Sequence, residues 1–137
     1  MDPLSAISSD ASAPDEEYDV FSRTCPSRPT LEHITGRWGT LVIGALAAGP
    51  LRFNELGRRV DGVSQKMLSQ TVHELERDGF VDRHVIASIP PHVEYSLTPA
   101  GTSIAEHLLA LIEHLEGLMP DVLDARRRYD AEPATGS

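Results

Sequence analysis

The sequence predicts an α+β fold, mainly helical with one small β-hairpin, and three observations predict it. Between residues 30 and 78, apolar side chains recur at helical spacing in short runs separated by Gly-Pro and Asp-Gly punctuation. The period then drops to two over Val81–Ile86 and again over Val93–Leu97, on either side of a proline-containing turn. Finally, Thr98-Pro99 opens a long segment whose leucines repeat in alternating steps of three and four. At 137 residues the chain is long enough for one modest domain with its own core.

The elements follow with little slack. Leu31 and Ile34 mark a short helix over Thr30–Thr35. "WGTLVIGALAA", Trp38–Ala48, is apolar on nearly every side and stops at Gly49-Pro50, so it is expected to be a buried helix. Arg52–Val60 places Phe53, Leu56 and Val60 on one face of a third helix, and Asp61-Gly62 turns the chain. Ser64 is suited to cap the helix that follows, which ends at Asp78-Gly79. After the hairpin, Thr98 and Pro99 occupy the cap and first position of the last helix, where Pro120 is expected to bend it or end it early. Its seam is Ile104, Leu108, Leu111, Leu115, Leu118 and Val122.

Composition excludes several classes. No run reaches the roughly 20 apolar residues of a membrane span, the N-terminus lacks a signal-peptide pattern, and a single cysteine precludes an internal disulfide framework. A cytoplasmic location is the expectation. The net charge of -9 argues against nucleic acid only until it is divided along the chain. Residues 1–22 hold six acids and no base, residues 23–100 are close to neutral, and residues 101–137 are again acidic. What matters for DNA is the placement of bases on one face. Residues 1–22 are expected to be a disordered acidic tail and 132–137 a second one. They flank a DNA-binding unit over 23–101 and a dimerisation helix over 102–131.

"GVSQKMLSQTVHELERDGF", Gly62–Phe80, carries the functional signal. One face holds Met67, Leu68, Thr71, Val72 and Leu75; the other holds Lys66, Ser69, Gln70, His73 and Arg77. Two short helices and a hairpin in this order make a winged helix-turn-helix. The major groove of B-DNA, about 12 Å wide, admits one helix, and residues near its N-terminus reach base edges. Gln pairs with adenine, Lys with guanine, and Ser with either partner type. Gln65, Lys66, Ser69, Gln70 and His73 are therefore the candidate base readers, and Ser64 and Arg83 the candidate phosphate contacts. The plainer alternative is a solvated face, which the adjoining hairpin disfavours. Trp38, Phe53, Leu68, Val72 and Leu75 are expected in the core.

The stretch from Cys25 to Gly101, with its Cys-Pro start, Gly-Arg-Trp at 36–38, "GPLRFNEL", "VSQKMLSQTVHELERDGF" and "VEYSLTPAG", resembles the HxlR-type family of bacterial and archaeal transcriptional regulators. The resemblance implies a homodimer that binds operator DNA through the helix from Ser64 and touches flanking DNA with the wing. It implies a dimer built from terminal helices, which assigns Leu108, Leu111, Leu115 and Leu118 to the interface. Family members commonly carry Arg before "VEYSLT"; here the residue is His92, which supplies no charge when neutral, so its wing contact is expected to be weak. Some relatives sense oxidants or electrophiles through a cysteine at the position of Cys25.

Cys25 itself precedes Pro26 at the start of a helical segment, near Arg23 and Arg28. A helix N-terminus and positive neighbours make a thiol more acidic and more reactive. The competing reading is a small hydrophobe in the core. With no second cysteine, any disulfide must join two chains or a small thiol, and an oxidant or small-molecule effector is left open. The six histidines show no zinc-ligand spacing, and no catalytic loop or nucleophile motif occurs; neither metal, cofactor nor enzyme activity is expected. The rival reading is a winged-helix protein-interaction module without DNA affinity.

Overall fold

The computed structural model describes residues 17–132. Five helices and a three-stranded sheet follow in the order α1 (Ser27–Thr35), α2 (Gly39–Leu46), β1 (Leu51–Arg52), α3 (Phe53–Arg59), α4 (Gln65–Arg77), β2 (Val81–Ile86), β3 (His92–Leu97) and α5 (Pro99–Ala131). The fold is the expected α+β winged helix-turn-helix. Most of the expected tails, residues 1–16 and 133–137, lies outside the described residues. Within the described part of the expected tail, Asp19–Ser22 is a hydrogen-bonded turn (Ser22 N–H to the Asp19 carbonyl, 3.0 Å) leading straight into Cys25.

α1 starts three residues earlier than the apolar spacing indicates. Pro29 falls in its first turn, where a missing N–H and a fixed φ cost nothing, so proline does not delay the helix. α2 is the buried helix its composition requires: Val42 and Ile43 are completely inaccessible to solvent. Around it pack Leu56 of α3, Leu68, Val72 and Leu75 of α4, Val81 of β2 and Ala105 and Leu108 of α5. Trp38 and Phe53, expected in the core, lie half-buried against this cluster.

The sheet order is β1-β3-β2, all antiparallel. β1 was not anticipated, because two residues carry no periodic signal; the strand exists through its partner, with Leu51 opposite Tyr95 and Arg52 opposite Glu94. Tyr95 leans on Phe53 with ring centroids 6.5 Å apart, which seats the wing on α3.

Pro120 neither ends nor truncates α5, which continues to Ala131. An interior proline removes one hydrogen bond and crowds the carbonyl four residues back, while the turns beyond are supported by Asp124 pairing with Arg127 and Arg128. The leucine seam divides in two. Leu108 is 7% exposed within the chain's own core, whereas Leu111, Leu115 and Leu118 are 60%, 49% and 41% exposed. The placement of Leu108 in an interface is therefore corrected: its surface is already covered by the protomer. Ile112 lies half-buried beside Gly44 of α2, and Leu109, 40% exposed, borders the same glycine.

The candidate nucleic-acid interface

α4 is held by signals at both ends. Ser64 is its N-cap, and the Ser64 hydroxyl oxygen accepts the Met67 N–H at 3.0 Å, which satisfies one of the unpaired donors of the first turn. Before it, Gly62 has φ +90°, and after it Gly79 has φ +87°, a region that residues with a Cβ rarely enter. These two reversals give the helix sharp limits. Buried Leu68, Thr71, Val72 and Leu75 fix its rotation. The outward face is then determined: Gln65, Lys66, Ser69, Gln70 and His73 are all exposed. Gln70 Nε2 donates to Glu74 Oε2 at 3.4 Å, a contact loose enough to be exchanged for a base edge. Met67, expected on the apolar face, sits at its margin, 37% exposed.

α1 braces the far end of α4. His33 Nδ1 lies 2.6 Å from Asp78 Oδ2, with both side chains largely covered. Asp78 is the C-cap of α4, where a carboxylate faces the negative end of the helix dipole, so the imidazole partner relieves an unfavourable placement.

The distribution of ion pairs sets this face apart. Among the described residues, side-chain ion pairs involve Arg28 with Glu32, Arg127 and Arg128 with Asp124, and two histidine–carboxylate contacts. None engages Arg52, Arg58, Arg59, Lys66, Arg77 or Arg83, all of them exposed. The helix-turn-helix thus carries cations without carboxylate partners, although the chain as a whole is acidic. Arg52 and Arg58 line a cleft of about 360 Å³ between α3 and the wing, together with Asn54 and His92. Sequence reasoning missed these two arginines because "LRFNELGRR" was read for its apolar face; three arginines within eight residues were the available signal.

His92 is held inside the wing. Its Nε2 lies 3.3 Å from Glu94 Oε2 and its Nδ1 3.2 Å from Ser88 Oγ. Each ring nitrogen thus lies within hydrogen-bond distance of a neighbour inside the wing.

Cys25 sits half-buried at the start of α1. Its Sγ accepts the Asp19 N–H at 3.3 Å and lies 3.1 Å from Ser27 Oγ. The thiol pKa is held below its ordinary value, first by the Ser27 hydroxyl, then by the Ser27 and Asp19 backbone donors; partial burial and the Asp19 carboxylate oppose them. The lowered direction matches the expectation from sequence, but its cause does not. Arg28 is turned to the Phe21 carbonyl (3.1 Å) and to Glu32, and hydrogen-bond donors rather than arginines favour the thiolate.

A model of the HxlR-like helix-turn-helix family matches residues 33–122, about two thirds of the chain. The chain belongs to the HxlR-like helix-turn-helix family. The HxlR match spans α1 from His33 to the middle of α5 and leaves Cys25 outside. The HTH-type transcriptional regulator YtfH of Escherichia coli K12 is 47% identical over 111 residues, covering 81% of this chain and 88% of that one. The solved structure of the transcriptional regulator ytfH from Salmonella typhimurium has a TM-score of 0.76 at 46% identity, covering 81% and 99% of the two chains. The reduced form of the transcriptional regulator YodB from Bacillus subtilis has a TM-score of 0.56 at 34% identity and covers 69% and 89%. The curated relatives carry the description HTH-type transcriptional regulator, and no helix among the described residues is long and apolar enough to cross a membrane.

Proposed function

We propose that this HxlR-family protein is a sequence-specific transcriptional regulator that grips operator DNA as a homodimer, with Cys25 adjusting its affinity. The observation that carries the reading is the outward face of α4: short donors and acceptors on a helix whose rotation the core fixes, framed by cations that pair with no carboxylate among the described residues. Gln65, Lys66, Ser69, Gln70 and His73 read base edges. Ser64 keeps its hydroxyl proton free for a phosphate while its oxygen caps the helix, and Arg83 contacts phosphate from the wing root. Leu111, Leu115 and Leu118 join two copies, which twofold operators require.

The thiol reading is supported by the hydrogen bonds at Cys25 and by two similar proteins with redox descriptions. One is the redox regulator HypR, solved in reduced and oxidised forms; the other is YodB, solved also after diamide treatment. With hydrogen peroxide as oxidant, the Cys25 thiolate attacks one peroxide oxygen, the O–O bond breaks and hydroxide leaves, giving a sulfenic acid. Sulfur is oxidised and the peroxide reduced. A second thiol, from another copy or a small molecule, then displaces the hydroxyl as water and closes a disulfide.

The test is selection of duplexes from a random pool, followed by binding titrations across salt concentrations, before and after peroxide treatment. Specific binding whose logarithm falls linearly with log salt is expected, with Lys66→Ala and Gln70→Ala weakening it and Cys25→Ser removing the peroxide response. Binding that is absent, or insensitive to salt, would overturn the DNA reading; an unchanged peroxide response in Cys25→Ser would overturn the thiol reading alone.

A further inference from the structure

The wing tip is unlike the rest of the DNA-facing surface. Ile89 is 100% exposed and Val85 is 65% exposed, so the end of the hairpin presents two large apolar side chains to solvent. Between Arg83 and Arg126 the chain has no Lys or Arg, so the tip cannot neutralise a phosphate through either residue.

The tip is also stiff. Pro90 and Pro91 follow Ile89 and fix φ at two successive positions. Ser88 ties the loop across itself: its hydroxyl donates to the Pro90 carbonyl at 2.8 Å, and its N–H donates to the Ile86 carbonyl at 3.0 Å. His92 closes the same loop through Ser88 Oγ. A preordered apolar point loses little entropy on contact.

Charge placement indicates the partner. Arg83 and Val85 lie two residues apart on one strand, hence on one face of the hairpin, and Arg83 is opposite Tyr95 while Val85 is opposite Val93. From root to tip the wing thus presents a cation and then apolar groups. A DNA groove has the complementary order, phosphates at its rim and sugars and base edges at its floor. Apolar wedges of Ile and Pro are a known means of engaging the minor groove and prying a base step.

We propose that Ile89 is a specificity-determining wedge, which enters the minor groove beside the operator half-site and selects flanking sequence by shape and deformability. The inference rests on the DNA-binding reading and adds a contact that no charged residue makes. G·C pairs, whose exocyclic amine stands in the minor groove, obstruct it; pyrimidine–purine steps open easily to it.

The experiment uses the full-length protein and a duplex recovered by selection, with the flanking pairs written as A·T, as I·C (an A·T-like minor groove with a G·C-like major groove) or as G·C. Wild type is expected to bind the first two alike and the third about tenfold more weakly. In Ile89→Ala, binding should weaken on the first two, the G·C penalty should vanish, and the dependence of log affinity on log salt should stay as in wild type. Arg83→Ala should instead lower that slope by about 1 and keep the G·C penalty. Matching circular dichroism melts establish that each variant is folded. If Ile89→Ala reproduces wild type on all three duplexes, or if I·C behaves as G·C, the wedge is wrong although α4 still reads DNA. If wild type binds no duplex, the underlying reading fails with it.

Discussion

At the scale of single residues, two serines do more than their size suggests. Ser27 holds its hydroxyl 3.1 Å from the Cys25 sulfur and is the largest influence favouring the thiolate. Ser27→Ala should therefore raise the Cys25 pKa and shift the alkylation rate by iodoacetamide toward higher pH, because only the thiolate reacts. A rate–pH profile superimposable on wild type would show that the donor has no such influence. Ser64 satisfies the Met67 N–H, and Ser64→Ala should cost about 1 kcal/mol of stability in urea titrations. The role of Ser64 was legible in advance because a cap is a local signal. The cause of the Cys25 shift was not: proximity in sequence named Arg23 and Arg28, whereas the donors that reach the sulfur come from Ser27 and from a turn at Asp19.

At the scale of elements, sequence periodicity located all five helices and both strands of the hairpin within a few residues, because each buries one regular face. It missed β1, which depends on pairing with β3, and of its two alternatives at Pro120 the early end does not occur, because the support for the last turns of α5 lies in charges beyond the proline. The period of the α5 seam does not say which leucines turn inward; tertiary packing assigns Leu108 inward and Leu111 outward. Close approaches are likewise invisible in sequence. A Cβ on Gly101 would stand 2.1 Å from the Phe80 carbonyl oxygen, whereas one on Gly44 would meet Leu109 at an ordinary 3.7 Å. Gly101→Ala should thus force α5 from the wing root and destabilise by about 1–3 kcal/mol. Gly44→Ala should be neutral or stabilise by up to about 1 kcal/mol, since helical glycine is entropically costly. Thermal melts of the two variants check the contrast.

At the scale of the whole molecule, the exposed leucines of α5 and the reading face of α4 belong to one functional proposal. Leu111→Glu with Leu115→Glu should convert a dimer into a monomer in sedimentation and abolish operator binding, because two heads about 34 Å apart are needed for a twofold site. A double variant that remains dimeric would move the interface elsewhere. The candidate site was only partly legible at this scale. The α4 face follows from its period, but the shared cleft of Arg52 and Arg58 with His92 emerges only when α3 and the wing are brought together.

The junction at Gly79–Gly101 has a further consequence. Phe80 N–H donates to the Leu75 carbonyl at the end of α4, Thr98 N–H donates to the Phe80 carbonyl, and the Thr98 hydroxyl donates to Gly79 while capping α5. The end of the reading helix, the root of the hairpin and the first turn of the long helix are bolted at one point, with no linker among them. A pair of such chains would behave as a rigid caliper: its jaws can close only on half-sites of one separation, and lengthening the DNA spacer by a single base pair would put the second jaw out of phase.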